Sequence, residues 1–165
     1  MASGNTLIEF FPYNNEPPTA NYATLDTRNQ HPCLDFDADT DESSVFTGVM
    51  PRHYAGTTGV TVTLYWAAAT ATANDCVWDV SWERIDDEGL DIDADSFAAV
   101  QSATATAPGT SGQVQYTTIA FTDGAQMDSV VAGELFRLKV TRDANNGSDD
   151  MAGDAELLGV EIRET

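Results

Sequence analysis

The chain has 165 residues, enough for one domain with a substantial core and too few for two comfortable ones. Its 27 acidic residues stand against 7 basic ones, a formal charge of -20, and Lys139 is the only lysine. A field of that sign repels polyanions, so neither nucleic acid nor an anionic membrane is expected as a partner.

The N-terminal MASGNTLIEFF carries neither a basic region nor a long apolar run, so no secretory leader is expected, and no segment is long enough to span a bilayer. Residues 1–30 read as an extended arm. Pro12, Pro17 and Pro18 forbid regular structure there, and Asn14, Asn15 and Asn21 favour turns. The arm is nevertheless apolar, with Leu7, Ile8, Phe10, Phe11 and Tyr13, and its first 25 residues carry only Glu9 and Glu16 as charges.

From Pro32 onward the hydrophobic period is two. In VTVTLYW, Val60, Val62, Leu64 and Trp66 share one face, and in CVWDVSWER the inward set is Cys76, Trp78, Val80 and Trp82. Asp79, Ser81 and Glu83 then point outward. Further strands are predicted in HPCLDF, SSVFTGV and SFAAVQSATAT. QVQYTTIAF has Val114 and Tyr116 in one phase and Ile119 and Phe121 in the other, which predicts a bulge at Thr117 or Thr118. LFRLKVTR is read as burying Phe136, Leu138 and Val140, and ELLGVEIRE as burying Leu158, Val160 and Ile162. The outward Arg137, Lys139, Glu161 and Arg163 are placed to bridge strands of opposite charge.

AGTTG, DDEG, APGTSG, TDG, AGE and NNGSDD supply the turns, and QMDSVVAG has room for one or two helical turns at most. The fold class is therefore all-β: an antiparallel two-sheet sandwich, jelly-roll-like, occupying residues 31–165, with the extended N-terminal arm of residues 1–30. Cys33 and Cys76 are far apart in no CxxC pattern and are read as buried thiols.

Three acidic stretches invite a metal reading. DFDADTDESS (35–44) places Asp35, Asp37, Asp39 and Asp41 at alternate positions before Glu42, yet Thr40 stands where a calcium loop needs its turn glycine. DIDADS (91–96) lacks that glycine too. DANNGSDDMAGD (143–154) is the better calcium candidate, with Asp143, Asn145, Asp149, Asp150 and Asp154 beside Gly147 and Gly153. All three are read as solvated loops, and no metal or cofactor is expected.

Catalytic signals are sparse. His31 and His53 are isolated, GTSG (109–112) lacks the elbow of a nucleophilic serine, and with 27 carboxylates some pair always has glycosidase spacing. An enzyme is not expected. Trp66, Trp78, Trp82 and Tyr65 are of the type that stacks on sugar rings, but the tryptophans fall on inward faces and are assigned to the core.

LDFDADTDESSVFTGVMPRHYAG, CVWDVSWERI and GELFRLKVTRDANNGSDDMAGDAELLGVEIRET together resemble a group of small proteins of tailed-phage and prophage genomes, from about Tyr22 to the C-terminus. The resemblance implies a virion structural protein with a jelly-roll-like domain, either a capsid decoration (cement) protein or a piece of a tail or fibre. On that reading the acidic sandwich faces outward from the capsid. Leu7, Ile8, Phe10, Phe11, Pro12 and Tyr13 of the arm, the least repelled part of this acidic chain, contact the major capsid protein or a sister subunit, and a homotrimer adds avidity. The protein would be made in the host cytoplasm and act on the outer capsid surface. The alternative is a receptor- or glycan-binding head of a tail fibre, with DDEGLDIDADS and DANNGSDDMAGD as contact loops.

Overall fold

A computed structural model describes residues 4–165. In chain order the strands are β1 (Thr6–Phe10), β2 (Thr24–Arg28), β3 (His31–Phe36), β4 (Glu42–Val49), β5 (Val60–Ala68), β6 (Asp75–Ile85), β7 (Gln101–Thr106), β8 (Val114–Phe121), β9 (Leu135–Arg142) and β10 (Ala155–Glu164). Two short 3-10 turns, Pro12–Asn14 and Ala125–Met127, are the helical elements among the described residues.

The larger sheet has the order β2-β3-β10-β5-β8, with β1 also lying along β10, and the smaller sheet the order β4-β9-β6-β7. All the strand pairings are antiparallel. From β3 to β10 the chain passes repeatedly from one sheet to the other, which is the jelly-roll form of the sandwich.

Trp66, Trp78 and Trp82 are fully buried between the sheets. Trp78 meets Trp66 and Phe36 edge to face at 5.7 and 5.1 Å, and Trp82 meets Phe121 edge to face at 6.0 Å. These contacts join residues from both sheets, so the aromatic seam holds the layers together. Both cysteines are free and buried.

The N-terminal segment departs from the expected boundary at residue 30. β1 pairs with β10, Ile8 opposite Ile162 and Phe10 opposite Val160, while β2 pairs with β3. Leu7 and Phe10 belong to the core, and Phe10 stacks on Phe46 at 5.3 Å. Gly48 of β4 makes this possible: a β-carbon there would stand 2.9 Å from both Ile8 and Phe10. The prolines fall after β1 and before β2, so they punctuate two strands rather than exclude them.

Two phase expectations are also corrected. β8 has no bulge: its register with β5 is unbroken from Val60–Phe121 to Ala67–Val114, so Val114 and Tyr116 face outward. Thr117 takes the inward position because its hydroxyl accepts the Trp66 indole N–H at 2.9 Å, satisfying a donor that burial would otherwise leave unpaired. The irregularity lies in β10 instead, between Leu157 and Gly159. The added residue turns Leu157 inward and Leu158, expected in the core, outward.

Candidate functional site

The outward residues released by these corrections lie together. Ala67, Val114, Leu158 and Pro32 line a groove of about 810 Å³ on the outer face of the larger sheet, with Phe11 and Pro12 on one side. Gly159 lies beneath Phe11, where a β-carbon would be 3.6 Å from the ring. Phe11 remains 55% exposed. Next along β5 and β8, Tyr65 and Tyr116 pack edge to face at 4.5 Å, and Tyr116 is 66% exposed. The Tyr65 hydroxyl donates to Glu161 at 3.0 Å, and burial, followed by that bond and its charge, raises the phenol above its ordinary range.

The polar rim is built around Arg28, the last residue of β2. Its Nη1 donates to Glu156 at 2.6 Å and to the carbonyls of Ala68 and Ala69 at 3.0 and 3.2 Å, while Nη2 donates to Ser111 at 2.9 Å. Ser111 in turn donates to the Ala69 carbonyl at 2.8 Å. One guanidinium thus ties β2, the end of β5, β10 and the loop before β8 into one wall. Gly112 has φ +81, and a β-carbon on it would stand 2.8 Å from Arg28, so glycine is required for the loop to approach this closely. Asn29, His31 and Gln113 complete the rim.

Beyond this wall lies a concentration of carboxylates. Asp35 stands opposite Glu156 across β3 and β10. Its Oδ1 is buried without a hydrogen-bond partner. Burial first, then the charges of Asp154, Glu156, Asp26 and Glu42, push the Asp35 carboxyl up to about 6. Burial and the Glu156, Asp26 and Asp35 charges likewise raise the Cys33 thiol to about 11, which keeps it protonated at neutral pH.

The acidic loops are organised by main-chain donors. Asp37 accepts from the Asp39 amide at 2.7 Å, Glu42 from the Asp37 amide at 2.9 Å, and Asp41 from the Asn145 amide at 2.9 Å. In the 143–154 loop the converging carboxylate is held by an internal cation: Arg142, fully buried, meets Asp149 at 2.8 Å and also donates to the carbonyls of Met151 and Gly153. Among the described residues no three His, Cys, Asp or Glu side chains converge on a point where a metal could sit. Asp91 accepts from the Asp93 amide at 3.0 Å, shaping the 91–96 loop.

Of the six residues assigned to capsid contact, Leu7 and Phe10 are buried and Ile8 is half-buried, because β1 is a strand of the sandwich, and Pro12 is buried at the start of the 3-10 turn that follows. Phe11 and Tyr13 are exposed, and Phe11 flanks the groove. Arg28, Gln113 and Glu156 belong to no motif in the sequence, and Ser111 stands out there only as the serine of GTSG, without a nucleophile elbow. Exposed valine and tyrosine in a strand whose inward face already had Ile119 and Phe121 was the signal available.

The molecule is therefore a jelly-roll β-sandwich with an open groove on one sheet face. Among solved structures it is similar to two xylan-binding domains of Xyn10C from Paenibacillus barcinonensis. With CBM22-1 it shares 13% identity and a TM-score of 0.50, covering 99% of this chain and 97% of that one. With CBM22-2 the identity is 13% and the TM-score 0.52, covering 92% of each chain. At this identity the likeness shows the fold. No protein-family model matches the chain, and no curated protein sequence matches it.

Proposed function

We propose that this domain binds a glycan without cleaving it, and that the ligand lies in the groove on the larger sheet. The observation carrying the reading is that Phe11, Val114, Tyr116 and Leu158, which a folding chain gains by burying, are presented outward beside a fixed polar rim. A pyranose needs such a pairing. Its C–H face packs on aromatic and aliphatic surface, while its hydroxyls need donors and acceptors already in place. Arg28 is held by the Ala68 and Ala69 carbonyls and in turn holds Glu156, so little ordering remains to be done on binding.

The xylan-binding domains of similar fold support this choice of ligand class. The glycan-binding head of a tail fibre is the setting in which it meets the phage resemblance. It is preferred to capsid decoration because most of the proposed contact residues are packed into the chain's own sandwich.

The test is affinity electrophoresis through gels containing different polysaccharides, followed by calorimetry on any that retard the protein. Wild type should be retarded by at least one. Phe11→Ala and Tyr116→Ala should each weaken that binding by about threefold to tenfold while remaining folded. Retardation unaltered in both variants would move the site elsewhere, and absence of binding across a broad neutral and acidic glycan panel would remove the reading.

A further inference from the structure

A second hollow, of about 250 Å³, adjoins the groove. It is lined by Pro12, Tyr13, Pro17, Tyr22 and Leu25 among others, and Pro12 lines both. Tyr13 is 72% and Tyr22 48% exposed. The backbone that carries them is pinned at several points. The Asn14 side chain accepts the Phe11 amide at 2.8 Å, the Glu16 amide donates to the Val45 carbonyl at 2.8 Å, and the Ala23 amide donates to the Ser43 carbonyl at 3.0 Å. The two tyrosines are therefore surface rings on a framed segment, continuous with Phe11 through Pro12.

Charge limits what could occupy this surface. Among the described residues Arg28 is the only Lys or Arg lining either hollow, and Glu156 lies 2.6 Å from it. Asp26, Asp35 and Glu156 act together on Cys33 beneath the rim, and Glu9 and Glu161 act on Tyr65 at the other end. An anionic sugar would meet no unpaired cation here and would approach a chain of charge -20. An uncharged chain meets no such opposition.

Resting on the glycan reading above, we infer that the ligand is a neutral glycan several residues long, which runs from the Arg28 groove across Pro12 onto Tyr13 and Tyr22. The groove holds one end of the bound stretch and the tyrosine hollow adds a further subsite. Short fragments then fill the first hollow only, and longer ones gain from both.

The experiment uses the full chain on an array of neutral and acidic glycans, then calorimetry with a size series of the oligosaccharide that binds. Neutral glycans should bind and uronic, sialylated and sulfated ones should not. Affinity should rise with length, and Tyr22→Ala should weaken the longest oligosaccharide about threefold to tenfold while leaving the shortest binding fragment within about twofold. Tyr13→Ala serves as the second variant should Tyr22→Ala fail a circular-dichroism check of folding. Equal binding of acidic glycans, or a length dependence unchanged in the folded variant, overturns this inference and leaves the groove reading standing. Absence of binding to every glycan overturns both.

Discussion

On the smaller sheet, Arg137 of β9 is paired with Glu83 of β6, and the Arg137 and Lys139 cations lie over the Phe97 ring, 5.1 and 4.7 Å from its centroid. Ser81, opposite Lys139, is fully buried although it points away from the core. On the larger sheet Tyr116 and Phe11 have no comparable roof among the described residues, and the charged pair stands at the edge of a groove. Both faces belong to the same two-layer sandwich, so the fold alone does not distinguish them. What distinguishes them is the loop that follows β6, whose Ala98 amide returns to the Trp82 carbonyl at 2.7 Å and brings Phe97 across one face.

The largest expected effect tests where the inside ends and the open face begins. Phe10→Ala should cost about 3–5 kcal/mol, since it removes a buried ring between Phe46 and Phe136. Phe11→Ala, one residue further on, should change stability by less than about 0.5 kcal/mol. Denaturant unfolding measures both. Similar losses for the two would mean that Phe11 is a core residue and the groove lacks its wall.

A smaller effect is expected on the covered face. Phe97→Ala should destabilise by about 1 kcal/mol through loss of its contacts with Arg137 and Lys139, with glycan affinity unchanged. A fall in affinity at constant stability would instead assign the binding face to the smaller sheet.

The smallest effect is a pH dependence at the edge of the open face. The Asp35 carboxyl is raised from 3.8 to about 6, so its protonated form is favoured by folding. Its contribution is complete below pH 3.8 and is lost as pH rises through about 6. The melting temperature should therefore increase from pH 7 to pH 5. Relief of the chain's general repulsion acts in the same direction, so Asp35→Asn provides the control: higher stability at pH 7 and a shallower pH slope. An identical slope in the variant would assign the effect to other carboxylates.

Much of the sandwich was legible because its inward faces alternate cleanly. Trp78, Val80 and Trp82 on β6 and Phe136, Leu138 and Val140 on β9 lie where period two placed them. The groove was not legible for the same reason. Reading by period favours the phase that turns most apolar residues to the core, so it places Leu158 inward by missing the bulge in β10, and Val114 and Tyr116 inward by putting a bulge in β8. The polar rim draws Arg28, Ser111 and Glu156 from three distant segments, and no local pattern announces such a convergence. Likewise the prolines near β1 obscured a strand whose place is set by Gly48, far along the chain. Departures from local consistency are concentrated at the surface proposed to bind.

An NMR titration with the bound oligosaccharide tests the central claim most directly. The account predicts that backbone amide shifts concentrate at Gly112, Gln113, Tyr116, Leu158 and Gly159 on the larger sheet, with Phe97, Arg137 and Lys139 unmoved. Shifts concentrated on the smaller sheet, or confined to the loops at 86–96 and 143–154, would contradict it.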